Sequence, residues 1–168
     1  MFKEYFLVVV LTFIFLFGYA QAPNQAESFM EKGITSYGKS NYADALVFFQ
    51  NSVKETIKND NFALQSKAYN NLANTYSQVG KSELALQNYH FAIAAAKKSN
   101  EILSIAKTYK NIGALYEEQK DLKSAMSYYD EAQILAIQLK NKSLQADCLN
   151  NKGIVYEQQL QYSKALAC

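Results

Sequence analysis

The feature that most restricts how this chain can fold is a 40-residue repetition in the placement of small and bulky side chains. With units beginning at Ala26, Ser66, Ala106 and Ala146, four copies align without a gap. The eighth position reads Gly33, Ala73, Gly113 and Gly153, and the twentieth reads Ala45, Ala85, Ala125 and Ala165. The eleventh reads Ser36, Tyr76, Tyr116 and Tyr156, and the twenty-fourth reads Phe49, Tyr89 and Tyr129. Self-similarity of this length marks a solenoid, in which each unit buries its apolar face only against its neighbours. One Pro and six Gly supply too few turn signals for a many-stranded sheet. The expectation is therefore an all-α solenoid of antiparallel helix pairs over residues 26–168, with repeats at 26–65, 66–105 and 106–145. A fourth, over 146–168, stops within its second helix, which reads as a truncated chain or one whose last repeat a partner completes.

Local signals divide the units into helices. Asn24 with Glu27 resembles a capping box and opens a helix to about Tyr37, with Gly38 expected in the left-handed conformation just beyond. Asn41 and Asp44 form a second cap, opening a helix to about Lys58 whose inner stripe is Ala45, Leu46, Phe49 and Val53. The second unit repeats this from about Phe62, with Gly80 as a stop, and the third turns at Lys120 and Asp121. The small residues let paired helix axes approach, while tyrosine and phenylalanine fill the space on either side.

Ahead of the repeats, residues 1–22 combine a basic start at Lys3, an apolar run over 6–17 and the small residues Gly18, Ala20 and Ala22. That is the grammar of a secretory signal; the run of 12 falls short of the roughly 20 residues a membrane span needs. Cleavage is expected after Ala20 or Ala22, and Pro23 favours Ala20, giving a signal peptide over 1–20. Net charge is +2, with lysines scattered among acids rather than gathered on a face, so no nucleic-acid partner is expected.

No chemistry emerges from the remaining motifs. Residues 33–40 match the phosphate-loop pattern G-x-x-x-x-G-K-S, but Gly33 falls at the small packing position of a helix and no strand precedes it. His90 lacks acids or cysteines at ligand spacing, so neither metal nor cofactor is expected. Cys148 and Cys168 fall out of register for a disulfide, and Asn141-Lys142-Ser143 is a glycosylation sequon only on a eukaryotic route. No nucleophile, base and orienting group come together, so no enzyme is expected.

Over positions 26–168 the residues resemble the tetratricopeptide repeat family, carried by Tyr69, Ala73, Tyr76, Ala85, Tyr89 and Ala92 and again by Tyr109, Gly113, Tyr116, Ala125, Tyr129 and Ala132. The family's commonest unit has 34 residues; the six extra are expected to lengthen the second helix and its connection. The resemblance implies a right-handed superhelix with a concave groove lined by the first helices. Family groove positions fall on Lys67, Asn70, Asn74 and Ser77, then Lys107, Lys110, Ala114 and Glu117, then Asp147, Asn150, Ile154 and Glu157. Asn71, Asn111 and Asn151 recur at position 6 and read as backbone support, with Asn111 and Asn151 also counted among the groove residues. Asn70 stands where the family's carboxylate clamp has Lys, so that clamp is not expected.

The resulting expectation is an exported scaffold, periplasmic or extracellular, that binds a protein or peptide in its groove without catalysis. The alternative is the extracytoplasmic sensor portion of a truncated bacterial signalling protein with a kinase or DNA-binding output. Membrane attachment would require an uncleaved leader or an anchor beyond Cys168.

Overall fold

The computed structural model describes residues 25–168; the leader and the Asn24 cap lie outside the described residues. In the described part eight helices follow one another: α1 (Gln25–Gly38), α2 (Tyr42–Lys58), α3 (Phe62–Gln78), α4 (Ser82–Lys98), α5 (Ile102–Glu118), α6 (Leu122–Gln138), α7 (Lys142–Gln158) and α8 (Tyr162–Ala165). From α2 to α7 every helix has 17 residues and every connection has three. The 40-residue unit is thus halved evenly. The six extra residues do not go to the second helix alone, because first and second helices are equally long.

The connections explain the even beat. Backbone left-handed residues occur at Ser40, Asp60, Gly80, Asn100, Lys120, Lys140 and Leu160, one every 20 residues. At each, two reverse hydrogen bonds close the preceding helix: Ser40 N–H donates to Tyr37 O and Asn41 N–H to Ser36 O, with the same pair recurring at Lys120 and Asp121 on Glu117 O and Tyr116 O. This is the Schellman closure, which satisfies carbonyls left over at a helix end. The residue after the left-handed one then opens the next helix. Asn41, Asn61, Asp121 and Asn141 each accept from the backbone N–H three residues on, at 3.0 to 3.3 Å. One residue therefore ends one helix and starts the next, which leaves the pair no freedom but to run back on itself. Gly38 is not the left-handed residue expected of it; it is the last residue of α1, and Ser40 takes that conformation.

Packing follows the small positions. Ala45, Ala85 and Ala125 are completely buried, as are the partner rings Phe49 and Tyr129, to within 1%. A Cβ added at Gly33 would stand 2.5 Å from Phe49, and one at Gly113 would stand 2.6 Å from Tyr129. The space that glycine vacates is filled by the aromatic of the second helix, so the repeat's smallest and largest residues are one contact. Consecutive helices pack together throughout, and the apolar clusters run continuously from Met30 on α1 to Val155 on α7. The fourth unit is looser, with Gly153 and Ala165 only half-buried. Cys148 and Cys168 are both free, the first buried and the second exposed.

The array is curved. First helices touch the next first helix, α1 to α3 to α5 to α7, whereas no contact joins α2 to α4 or α4 to α6 among the described residues. The close side is concave.

Candidate interaction groove

The concave side is built from side chains spaced by nearly one repeat. Asn111 Nδ2 donates to Asn70 Oδ1 at 3.1 Å and to Asn74 Oδ1 at 3.2 Å, joining α5 to α3. Ser77 Oγ donates to Glu118 at 3.2 Å, and Lys110 reaches Asp147 at 3.0 Å, joining α5 to α7. Asn71 Nδ2 approaches Met30 Sδ at 3.2 Å on α1. The position-6 asparagines Asn71 and Asn111 therefore do not support backbone; their side chains tie each first helix to the one before it.

The core reaches up to hold this floor. Tyr89, buried on α4, donates its hydroxyl to Asn74 Oδ1 at 2.7 Å, while Tyr129, buried on α6, donates to Glu117 at 2.8 Å. Burial pushes the Tyr89 hydroxyl well above the ordinary tyrosine range, and burial followed by the Glu117 carboxylate does the same to Tyr129. Both remain neutral donors. The two rings occupy the same repeat position, yet they reach different partners. Where position 8 is Gly113 the ring sits tight against it, and where it is Ala73 a Cβ stands in that place.

Among the described residues, several clefts lie along this side. One of about 290 Å³ is lined by Met30, Ile34, Lys67, Asn70 and Lys107 with their neighbours, and one of about 260 Å³ by Asn70, Lys107, Lys110, Asn111 and Asp147. A third, of about 240 Å³, is formed by Tyr37, Asn74, Ser77, Asn111, Ala114 and Glu118, and a smaller fourth lies between Ile34, Tyr37, Phe49, Asn71 and Asn74. Lys67, Asn70, Asn74, Ser77, Lys107, Lys110, Asn111 and Asp147 are thus brought together. Glu117 is drawn instead to Tyr129 and to Gln158, whose Nε2 donates to it at 2.9 Å. Asn150, Asn151 and Glu157 on α7 line none of these clefts. Tyr37 and Glu118 line the groove but escaped the sequence reading. Tyr37 sits at position 12 of the first unit, where the motif is weakest, and Glu118 lies one place past the position that the family pattern marks.

The phosphate-loop lookalike has no such geometry: Gly33 is mid-helix against Phe49, and its amide belongs to the α1 ladder. Among the described residues no group of three His, Cys, Asp or Glu could hold a metal, and no helix is long and apolar enough to cross a membrane.

Comparison with known proteins places these features. The family model described as tetratricopeptide repeat matches residues 64–133 and 104–168. An uncharacterized protein, ycf37 of Guillardia theta, is 29% identical over 121 residues, covering 72% of this chain and 63% of its own length. The crystal structure of BtubC (BKLC) from P. vanneervenii superposes with a TM-score of 0.76 at 21% identity, over 85% of this chain and 59% of that one. The apo form of RapI gives a TM-score of 0.77 at 20% identity, over 89% of this chain and 55% of that one. The chain spans about three fifths of the length of these relatives.

Proposed function

We propose, on the premise that this chain belongs to the tetratricopeptide repeat family, that it is an exported scaffold holding a peptide or helix of a protein partner in its concave groove. The observation that carries this is the side-chain lacing of α3 to α5 through Asn70, Asn74 and Asn111. A floor fixed in this way presents groups to a ligand without first paying to order them, and pre-organisation of that kind is a main source of affinity for extended segments. Nucleophile–base pairing is no part of the arrangement: the buried Cys148 thiol is held above the ordinary range by its burial, which makes it a poor nucleophile. Export rests on the leader grammar of Lys3, residues 6–17, Gly18 and Ala20.

The test is capture of partners by the immobilised chain beginning at Gln21, compared with Ala114→Arg in the groove and Ile134→Ser on α6. Ala114 lines the groove, and Ile134 is 51% exposed on a second helix. Loss of the captured protein with Ala114→Arg and its retention with Ile134→Ser is the expected result. Equal capture by all three would remove the groove from the account.

A further inference from the structure

The cleft between α1, α3 and α5 differs chemically from the rest of the groove. Its wall is apolar, formed by Met30 and by Ile34, which is 54% exposed. The charged groups that line it, Lys67 and Lys107, are both cations. Lys67 and Lys107 occupy the same position in successive repeats and have no carboxylate partner among the described residues, in contrast to Lys110, which Asp147 neutralises. Asn70 spends its Oδ1 on Thr108 and Asn111, which leaves its Nδ2 as the free end. Ser66, 1% exposed at the base of the same cleft, has a buried Oγ with no hydrogen-bond partner. A buried hydroxyl without a partner is costly, and native proteins rarely keep one without use. No acidic side chain lines this cleft. The carboxylates of the groove are engaged elsewhere: Glu118 accepts from Ser77, and Asp147, which shares the next cleft with Lys107, pairs with Lys110.

We infer that this cleft selects a partner segment carrying an acidic side chain beside an apolar one. The apolar side chain packs on Met30 and Ile34, and the carboxylate lies between Lys67 and Lys107 and accepts from Asn70 Nδ2. This deepens the groove reading above and rests on it. Charge complementarity sets the choice, since two unpaired ammonium groups over a partly apolar wall reward a carboxylate and reject a basic segment. The two free lysines, in successive repeats, suit a chain that runs past both, so the carboxylate assigned is a side chain's and not a terminus.

The experiment is selection of phage-displayed random dodecapeptides, fused at their carboxyl ends, on the purified chain and on Lys67→Glu/Lys107→Glu, with circular dichroism confirming that both are helical. Enriched peptides are expected to carry Asp or Glu within about three residues of Leu, Ile, Met or Phe, and to bind the double variant at least about tenfold more weakly. Acid-free peptides that are still lost with Ala114→Arg would overturn this inference and leave the groove reading standing. Acidic peptides that bind the double variant undiminished would overturn it as well. No enrichment, or enrichment indifferent to Ala114→Arg, would overturn both.

Discussion

Gly113 and Tyr129 are a single packing unit: a Cβ on the glycine would lie 2.6 Å from the tyrosine ring and 3.2 Å from the carbonyl of Ala125. The fourth copy of the same position is different, since a Cβ on Gly153 would meet only ordinary contacts at 3.6 Å and beyond. Gly113→Leu should therefore overpack the third helix pair and cost about 3 kcal/mol, lowering Tm by roughly 6–12 °C. Gly153→Ala should instead gain about 1 kcal/mol of helix propensity and raise Tm by roughly 2–4 °C. Differential scanning calorimetry of the two variants checks the sign of each. A shared sign would contradict the difference in packing between the third and fourth units.

The left-handed positions offer a second pair of opposite effects. Lys140 holds φ of 52° and Gly80 holds φ of 72°. Lys140→Gly removes a steric cost of about 1–2 kcal/mol and adds back about 0.5–1 kcal/mol of chain entropy, so it should stabilise by about 0.5–1 kcal/mol. Gly80→Ala should destabilise by a similar amount, about 1 kcal/mol. Urea midpoints with unchanged slopes are the readout.

The cap at Asp121 should reveal itself through pH. Its carboxyl is held below the ordinary range first by the side-chain hydrogen bond from Ser124, at 2.6 Å, and then by the Ser124 backbone N–H. A carboxylate with a lowered folded-state pKa stabilises above its unfolded value and loses that contribution as pH falls through the folded one. Asp121→Ala should consequently lower Tm at pH 7, and the gap to the unaltered chain should narrow below about pH 4. Asp121→Asn should keep most of the cap, because Asn41, Asn61 and Asn141 cap their own helices with the same oxygen.

Tyr89 tests the coupling of core to groove. Tyr89→Phe removes the 2.7 Å donor to Asn74 without changing the buried ring. The loss should be about 1 kcal/mol, and in a double-mutant cycle with Asn74→Ala the two effects should fail to add by a similar amount. Additive losses would mean that the hydroxyl does not hold the groove floor.

How far the sequence could be read depended on what each feature required. The phase of the array was legible because Gly33, Gly113, Phe49 and Tyr129 are partners in volume, and a 40-residue beat records that directly. The cap at Asn41 was legible because side-chain acceptors at helix starts are few, whereas Asp121 was read only as part of a turn. The left-handed stop was misplaced at Gly38 because only one of the seven such residues is a glycine; the paired reverse hydrogen bonds, not the residue type, impose the conformation. The groove was half legible. Lys67, Asn70, Asn74 and Lys107 could be placed from repeat position, but the fate of Glu117 depends on Tyr129, 12 residues on and across a turn. The asparagine lacing between α3 and α5 depends on how closely curvature brings the two helices, which no single unit encodes.

Hydrogen–deuterium exchange of the chain with and without its captured partner bears most directly on the groove. The account predicts slowed exchange in α3 and α5, centred on residues 67–77 and 107–118, with α2, α4 and α6 little changed. Protection confined to α2, α4 and α6 would contradict it.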